Sequence, residues 1–487
     1  MYFFKYLQHI VPLFIFTIIF SDVKSQTPGL YTYQELSHLY YAKQNDSIKK
    51  NWICPKLYKE KETQKKYSEI WQDRLSFISN AINTKDFVYE KDIYNYLSQI
   101  VTDIITANPN TITKAPLILL DRSSSVNAYA IGGNILAVNL GLVEFASTRE
   151  ELALVIAHEL SHNILNHADN SIKERAELLT SDEYKATLNS VLDSKYERLT
   201  RLKKALQGYS FSRSKHNRYH EADADSLAVV LLKNSKISFD AKYFLRLDSA
   251  DIQYKKTLKN PVKTYFEKYS LSVEDWWTQK KSKGLSTKSY NFKDTASIQD
   301  SLKTHPECKE RYIKNLLLSD GGKTTPIPQI IKDKTKKIII WNMFDNQNLT
   351  ACLYEILLEK DKGNTDVWYD FMFHNIFNGL YYSDKQLNRF NAINVKPKEY
   401  ISKDYYELQN MLEQMPKENL EQFAKKLKEG SFWQGMPSDA KALKTLMNTI
   451  AFAEESSDKI ENNAAKEFIA NFPNSMYCEF ADHFKKK

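Results

Sequence analysis

Residues 148–167 read TREELALVIAHELSHNILNH, and they carry the strongest structural signal in the chain. Apolar residues recur at helical spacing over residues 152–164, which predicts a long helix. Ser147 is followed three positions later by Glu150, and this pair predicts a capping box at the start of the helix. We therefore expect a helix that begins near residue 148.

Within this helix, the pattern His-Glu-x-x-His occupies residues 158–162. His158 and His162 lie four positions apart, so both imidazoles project from one face and can bind the same tetrahedral metal ion. Glu159 projects beside them, where its carboxylate can accept a proton from water. The alternative is that these are two ordinary histidines on an amphipathic helix, and a third ligand elsewhere in the chain would argue against it.

A catalytic zinc site uses three protein ligands and keeps the fourth position open. One known arrangement places a glycine turn and a third histidine soon after the motif, but Leu165 and Ala168 occupy those positions. His167 is one residue out of that register, so we interpret it as a surface histidine or as a side chain that contacts a ligand. The third ligand must then come from another segment.

A second apolar helix, predicted over residues 217–232, contains the sequence EADAD near its start. Glu221 and Asp225 lie four positions apart and share a face of this helix. Glu221 can therefore bind the metal while Asp225 accepts the ring N–H of a ligand histidine. His220 and Asp223 are alternative ligands that point elsewhere around the helix.

The region before the motif helix contains the predicted strands. Residues 126–131 and 134–138 flank Gly132-Gly133, which is the pattern of a hairpin, and residues 116–120 predict another strand. The remainder is predicted to be largely helical. The predicted fold is therefore mainly α (α+β), with a small β-sheet and a helical C-terminal domain with tetratricopeptide-like features.

Four motifs in order resemble the gluzincin zinc metallopeptidases of the prenyl-protein endopeptidase and HtpX type. The resemblance covers residues 90–318 and fits the soluble, exported branch with a C-terminal helical domain. The motifs are Asn127-Ala128-Tyr129-Ala130 with Gly132-Gly133 and Gly141-Leu142, His158 to His162, Glu221 to Asp225, and Thr304-His305-Pro306 with Arg311.

This resemblance implies a zincin-like helical metallopeptidase core and one zinc ion per chain, bound by His158, His162 and Glu221. It implies hydrolysis of peptide bonds with Glu159 as general base. It also implies that an edge strand pairs with the backbone of an extended peptide, and we place this strand at residues 134–138.

His305 is the second predicted catalytic residue. In relatives, a histidine of the late motif lies close to the metal. His305 would therefore either stabilise the oxyanion as a hydrogen-bond donor or occupy the open coordination position as a latch. The alternative is a histidine in a loop before a helix. Cys308, three residues later, is predicted to be a packed thiol.

The composition and the N-terminus indicate where the protein acts. The net charge of +8 is spread among alternating lysines and acidic residues, which argues against nucleic-acid binding. Lys5, the apolar residues 10–20 and the small residues before Gln26 predict a cleaved signal peptide, with an uncleaved anchor as the alternative. No later segment has transmembrane length. We expect an exported protein, periplasmic or extracellular, or peripheral to a membrane, in which the four cysteines could form two disulfides.

The predicted domains are a signal peptide (1–25), an N-terminal helical or irregular segment (26–85), a zinc metallopeptidase domain (86–318), a linker (319–335) and a helical C-terminal domain (336–487). The predicted function is a zinc-dependent metalloendopeptidase that cleaves exported or misfolded envelope proteins as extended or unfolded chains. One alternative is an envelope protein chaperone or assembly factor with a latched metal centre and a partner-binding C-terminal domain. Another is a metal-dependent hydrolase of a non-peptide amide.

Overall fold

A computed structural model describes residues 30, 31, 33, 42–82, 86–193, 219–248, 254–279, 308–430, 432–453 and 458–485. Over these residues the protein is mainly helical with one small sheet, which confirms the predicted fold class. None of the helices in these ranges combines the length and the apolarity needed to cross a bilayer.

The first group of described helices lies before residue 316. They are α1 (Ala42–Asn51), α2 (Lys61–Ile82), α3 (Lys91–Ala107), α4 (Leu140–Phe145), α5 (Arg149–Ile164), α6 (His167–Thr180), α7 (Asp182–Leu192), α8 (219–234), α9 (Lys242–Asp248), α10 (Val262–Glu267), α11 (Asp275–Thr278) and α12 (Cys308–Asn315). The later helices are α13 (Gln329–Asp345), α14 (Leu349–Asp361), α15 (Val367–Lys385), α16 (Arg389–Ile393), α17 (Lys403–Gln414), α18 (Lys417–Glu429), α19 (Ser438–Phe452), α20 (Asp458–Asn471) and α21 (Cys478–Asp482). Short 3-10 turns occupy Leu316–Leu318, Lys398–Tyr400 and Phe432–Gly435.

The four-stranded sheet has the order β1-β2-β4-β3. Its strands are β1 (Phe87–Val88), β2 (Leu117–Asp121), β3 (Ala128–Gly132) and β4 (Ile135–Asn139). The predicted hairpin is confirmed, because β3 and β4 pair antiparallel, while β2 pairs parallel with β4. Our placement of the edge strand at residues 134–138 is wrong, because β4 is paired on both sides. Among the described residues, β3 is the edge strand nearest the His-Glu-x-x-His helix.

The turn between β3 and β4 has the special backbone expected from its glycines. Gly132, Gly133 and Asn134 have φ angles of 106°, 61° and 60°, in the left-handed region that glycine and asparagine tolerate best. The ring of Trp52 covers this turn, and a Cβ added at Gly132 or Gly133 would lie 3.1 Å from it. The N-terminal segment therefore packs directly on the hairpin.

Both faces of the sheet are buried, and they belong to different cores. Alternating residues of β2 and β4, such as Ile118 and Leu136, point into the large core shared with α3 and α5. Their neighbours Leu119 and Ile135 point into a smaller core that contains Trp71 of α2. This alternation is the period-2 pattern of strands buried on both sides. It holds the sheet between the motif helix and the N-terminal helices.

Helix α5 begins one residue later than the predicted capping box implies. Thr148 has an extended backbone and is the N-cap, with its hydroxyl accepting the N–H of Glu151. Glu151 in turn accepts the N–H of Ser147 at 2.7 Å. The capping pair is therefore Thr148 and Glu151, and the pair predicted from Ser147 and Glu150 is wrong.

The segment after α12 is attached to the start of α5. Thr325 O accepts the N–H of Arg149 at 2.8 Å, and Glu150 accepts the N–H of Thr325 at 2.7 Å. Helix α13 begins at Gln329, within the predicted linker. Lys332 of α13 donates to the carbonyls of Val143, Glu144 and Ala146 at the end of α4. Residues 325–332 are therefore attached to the end of α4 and the start of α5.

A buried ion pair joins the last helix to the loop after β2. Arg122 donates to both carboxylate oxygens of Glu479, at 2.7 and 2.9 Å, and the two side chains are 3% and 0% exposed. Glu479 also accepts hydrogen bonds from Trp341 Nε1 at 2.8 Å and Tyr31 Oη at 3.0 Å. One carboxylate thus connects the N-terminal segment, the sheet region and two C-terminal helices. The four cysteines, all of them among the described residues, form no disulfide.

Candidate metal centre

The candidate site forms where α5, α8 and α12 meet beside the edge strand β3. His158 Nε2 and His162 Nε2 lie 3.1 Å apart. Glu221 of α8 places one carboxylate oxygen 3.3 Å from His158 Nε2 and the other 3.4 Å from His162 Nε2. Two imidazole nitrogens and one carboxylate, from two helices, therefore converge on one point.

These separations fit a zinc ion. With Zn–N and Zn–O bonds of about 2.0–2.1 Å, neighbouring ligand atoms of a tetrahedral site lie about 3.3–3.4 Å apart. Glu159 also belongs to the cluster, since one donor atom from each of His158, Glu159 and His162 lies within 4.8 Å of the others. Its nearest oxygen is 4.0 Å from His158 Nε2, so Glu221 fits the third ligand position better. The donor set of two imidazoles and a carboxylate suits zinc.

The carboxylate of Glu159 is held between the histidines and the sheet. Its Oε2 accepts the backbone N–H of Ala130 in β3 at 2.9 Å, while Oε1 faces His158. Glu159 is only 4% exposed. A buried carboxylate fixed by one oxygen keeps the other directed at the cluster, which is the placement that a general base requires.

A second layer of contacts orients His158. Its Nδ1 lies 2.9 Å from the carboxylate of Asp225, the contact that the sequence predicts for a ligand histidine. Arg311 of α12 binds the same carboxylate through Nε and Nη2, at 2.8 and 2.5 Å, and its guanidinium lies over the ring of Phe244. These hydrogen bonds outweigh burial and lower the pKa of Asp225. Asp225 therefore stays a carboxylate that accepts the Nδ1–H of His158 and leaves Nε2 for a metal.

The pKa of His158 reflects the negative charge around it. Burial disfavours its charged form, but hydrogen bonds to Asp225 and Glu221 outweigh burial and raise its pKa to about 9. The same carboxylates stabilise any cation at this position. A proton and a divalent metal ion therefore compete for the site, as is usual for histidine ligands.

His167 is neither a surface residue nor part of the metal cluster. It is 8% exposed, and its Nδ1 lies 2.7 Å from Nδ1 of His162, on the side of that ring away from Nε2. Its ring also stacks on His220, with centroids 4.2 Å apart and an interplanar angle of 11°. Burial and then the neighbouring His162 and His220 lower the pKa of His167 to about 4. Of the two interpretations offered for His167, the structure therefore supports the one in which its side chain contacts a candidate metal ligand, His162.

The structure brings together four of the five predicted site residues: His158, Glu159, His162 and Glu221. His305 lies outside the described residues. Of the alternative ligands, His220 stacks on His167 and Asp223 is exposed. Sequence reasoning missed the contact made by Ala130, because a backbone N–H leaves no signal in the sequence. For His167 it left two alternatives open and did not identify His162 and His220 as its partners. The motif Thr304-His305-Pro306 with Arg311 did include the arginine, but it did not indicate that Arg311 binds Asp225.

Comparison with known proteins agrees with this geometry. Residues 94–317 match peptidase family M48. These residues belong to that family. The M48 region contains both ligand-bearing helices, the edge strand and Arg311, and family M48 peptidases are generally zinc-dependent.

One curated relative of this chain has a name that refers to assembly. The chain is 26% identical over 149 residues to a Vibrio cholerae protein named beta-barrel assembly-enhancing protease. The match covers 29% of this chain and 30% of that protein, so it spans less than a third of either.

Proposed function

We propose that this protein is a zinc-dependent metalloendopeptidase. The observation that carries the proposal is the convergence of His158 Nε2, His162 Nε2 and the Glu221 carboxylate, with separations of 3.1 to 3.4 Å. These three residues would hold one zinc ion per chain. Bound there, zinc would supply Lewis-acid chemistry that acidifies water and polarises a carbonyl.

In this proposal the protein's own residues move the protons. Glu159 accepts a proton from the attacking water at Oε1 and delivers it to the leaving amine. The hydrogen bond from Ala130 to Oε2 keeps the carboxylate in place during both steps. Asp225 and Arg311 hold His158 with Nε2 facing the site. Glu159 therefore transfers the protons, while Ala130, Asp225 and Arg311 hold the reacting side chains in place.

The proposed substrate is an extended or unfolded polypeptide. Strand β3 has one side paired with β4, and its other side faces the catalytic residues through Ala130. A peptide that adds to this edge is bound mainly through its backbone, which tolerates many sequences. The M48 family membership supports a peptide or protein substrate. The signal-like N-terminus and the relative's name support envelope proteins as the natural targets.

His305 remains the second proposed catalytic residue, as oxyanion donor or latch. Helix α12 begins at Cys308, three residues after His305, and its Arg311 contacts Asp225 and lies 3.3 Å from His158 Nδ1. The chain therefore reaches the site at Arg311, six positions after His305 in the sequence, which supports a role for His305 there.

The proposal is tested with the Glu159→Gln variant of the full chain. We expect wild type and variant to retain one zinc per chain, and the variant to cleave a reduced, unfolded protein about 10²–10⁴-fold more slowly. The exposed Glu174→Gln variant is the matched control and should cleave normally. Wild-type protein without stoichiometric zinc, or undiminished cleavage by Glu159→Gln, would overturn the proposal. A cellular role that survives Glu159→Gln would favour the assembly-factor alternative.

A further inference from the structure

His167 is brought to the metal centre by the turn between α5 and α6. Helix α5 ends at Ile164, and Asn166 adopts the left-handed conformation with φ of 54°. Asparagine tolerates this conformation better than most residues. His167 then begins α6, and its buried ring faces back toward the last turn of α5. The turn between the helices thus places the His167 imidazole against Nδ1 of His162, opposite the Nε2 atom that faces His158.

The 2.7 Å separation of the two Nδ1 atoms requires one proton between them. If His167 donated that proton, neutral His162 would carry its own proton on Nε2 and could not bind a metal there. If His162 donates instead, its Nε2 lone pair faces His158 and Glu221. Only this second arrangement lets His162 Nε2 act as a metal ligand together with His158 Nε2 and the Glu221 carboxylate.

The ring of His167 also touches the other ligand helix. It stacks on His220, which directly precedes Glu221 in α8. His167 therefore contacts His162 on one side and the residue adjacent to Glu221 on the other. It is not itself placed as a ligand, because it meets the ring nitrogen of His162 that points away from the cluster.

We propose that His167 is a positioning residue of the metal centre. It accepts the Nδ1–H of His162, so that Nε2 is available to the metal, and its stack on His220 holds the start of α8 where Glu221 lies. The two ligand histidines are then oriented by different acceptors: a carboxylate for His158 and a neutral imidazole for His162. This inference rests on the proposed zinc peptidase function.

Two substitutions separate the hydrogen bond from the stack. In His167→Asn the amide oxygen occupies the position of Nδ1, so an acceptor remains while the ring is lost. In His167→Phe the ring can still stack on His220, but the acceptor is lost. His483→Asn is the control, because that histidine is half exposed and pairs with Asp345. Far-UV circular dichroism and thermal midpoints verify that each full-length variant is folded.

The first readout is the zinc dissociation constant, measured by competition with a chelator. We expect His167→Phe to bind zinc about 10–100-fold more weakly, as for other residues that orient metal ligands. His167→Asn should recover most of that loss, and His483→Asn should match wild type. At saturating zinc, the KM for an unfolded substrate should stay unchanged. His167→Phe binding zinc as tightly as wild type would overturn the inference.

The second readout does not depend on zinc. In metal-free protein labelled with ¹⁵N-histidine, two-bond ¹H–¹⁵N spectra report which nitrogen of His162 carries the proton. We expect the Nδ1–H tautomer in wild type and in His167→Asn, and its loss in His167→Phe. A His162 protonated on Nε2 in wild type would refute the inference. If wild type bound no zinc, the proposed function would fail, and these spectra would still decide the role of His167.

Discussion

Replacing Glu479 with glutamine should destabilise the whole protein, although the residue lies in the last helix. Its carboxylate accepts two hydrogen bonds from Arg122 and one each from Trp341 and Tyr31, and it is fully buried. The Glu479→Gln variant would remove the charge that compensates Arg122 and turn an amide N–H₂ toward some of these donors. Breaking a buried pair in this way costs about 3–5 kcal/mol.

A double variant assigns the size of the effect to the ion pair. Arg122→Met combined with Glu479→Leu removes both charges, which is close to neutral for many buried pairs. The donors of Trp341 and Tyr31 then lose an acceptor, at about 1 kcal/mol each. The double variant should therefore lie about 2 kcal/mol below wild type and above Glu479→Gln.

Urea unfolding followed by far-UV circular dichroism measures these differences. The control is Glu62→Gln, which breaks the pair between Lys185 and Glu62, whose side chains are 40% and 64% exposed. This control should change the free energy of unfolding by less than about 1 kcal/mol. The reasoning would be refuted if Glu479→Gln were as mild as the control, because the buried pair would then contribute no more than an exposed one.

Three other substitutions test the buried amine, the hairpin turn and the metal-centre support. Lys444 is fully buried, without a hydrogen-bond partner for its amine among the described residues, and burial lowers its pKa to about 7 from 10.5. Between these values only the unfolded chain binds the proton, so wild-type stability should rise with pH by roughly 1 kcal/mol per unit. Lys444→Met should be more stable than wild type at pH 7, and its free energy of urea unfolding should not rise with pH in this range. If the free energies of wild type and variant changed in parallel with pH, the lowered pKa of Lys444 would be contradicted. Gly132→Ala should lower the free energy of urea unfolding by about 1–3 kcal/mol, because φ is 106° and the new Cβ meets a tryptophan ring. Gly363→Ala, with φ of 83° and open space around it, should cost less, and equal losses would exclude a contribution from the ring. Asp225→Asn should weaken zinc binding about 10–100-fold in a chelator competition, whereas the exposed Asp223→Asn should not; equal affinities would argue against the support role.

Local patterns predicted the elements of the site well. The helix around His158 and the hairpin around Gly132 follow from residue spacing within a few turns or strands. Glu221 and Asp225 lie four positions apart and therefore share a helical face. Packing of α8 against α5 is then enough to bring Glu221 to His158 and His162, as predicted. Such features depend on short-range geometry that a sequence records directly.

Features that depend on distant packing were missed. The hairpin pattern did not reveal that β2 would pair with β4, so the edge strand was assigned to the wrong half of the hairpin. The cap of α5 was misplaced by one residue because Ser147 and Thr148 are both good capping residues, and tertiary contacts decide between them. The pair of Arg122 with Glu479 spans 357 residues, and no local pattern could indicate it.

Because residues 325–332 are hydrogen-bonded to α4 and α5, the folded unit around the candidate metal centre is longer than the region that matches the family. The M48 match ends at residue 317, yet hydrogen bonds at both ends of the Phe145–Arg149 connection come from Thr325 and Lys332. The region that matches family M48 is therefore shorter than the region that folds together with it. A graft of residues 94–317 into another protein would leave the start of α5 without its hydrogen bonds to Thr325. We therefore expect that the smallest fragment able to fold around the candidate metal centre includes part of α13.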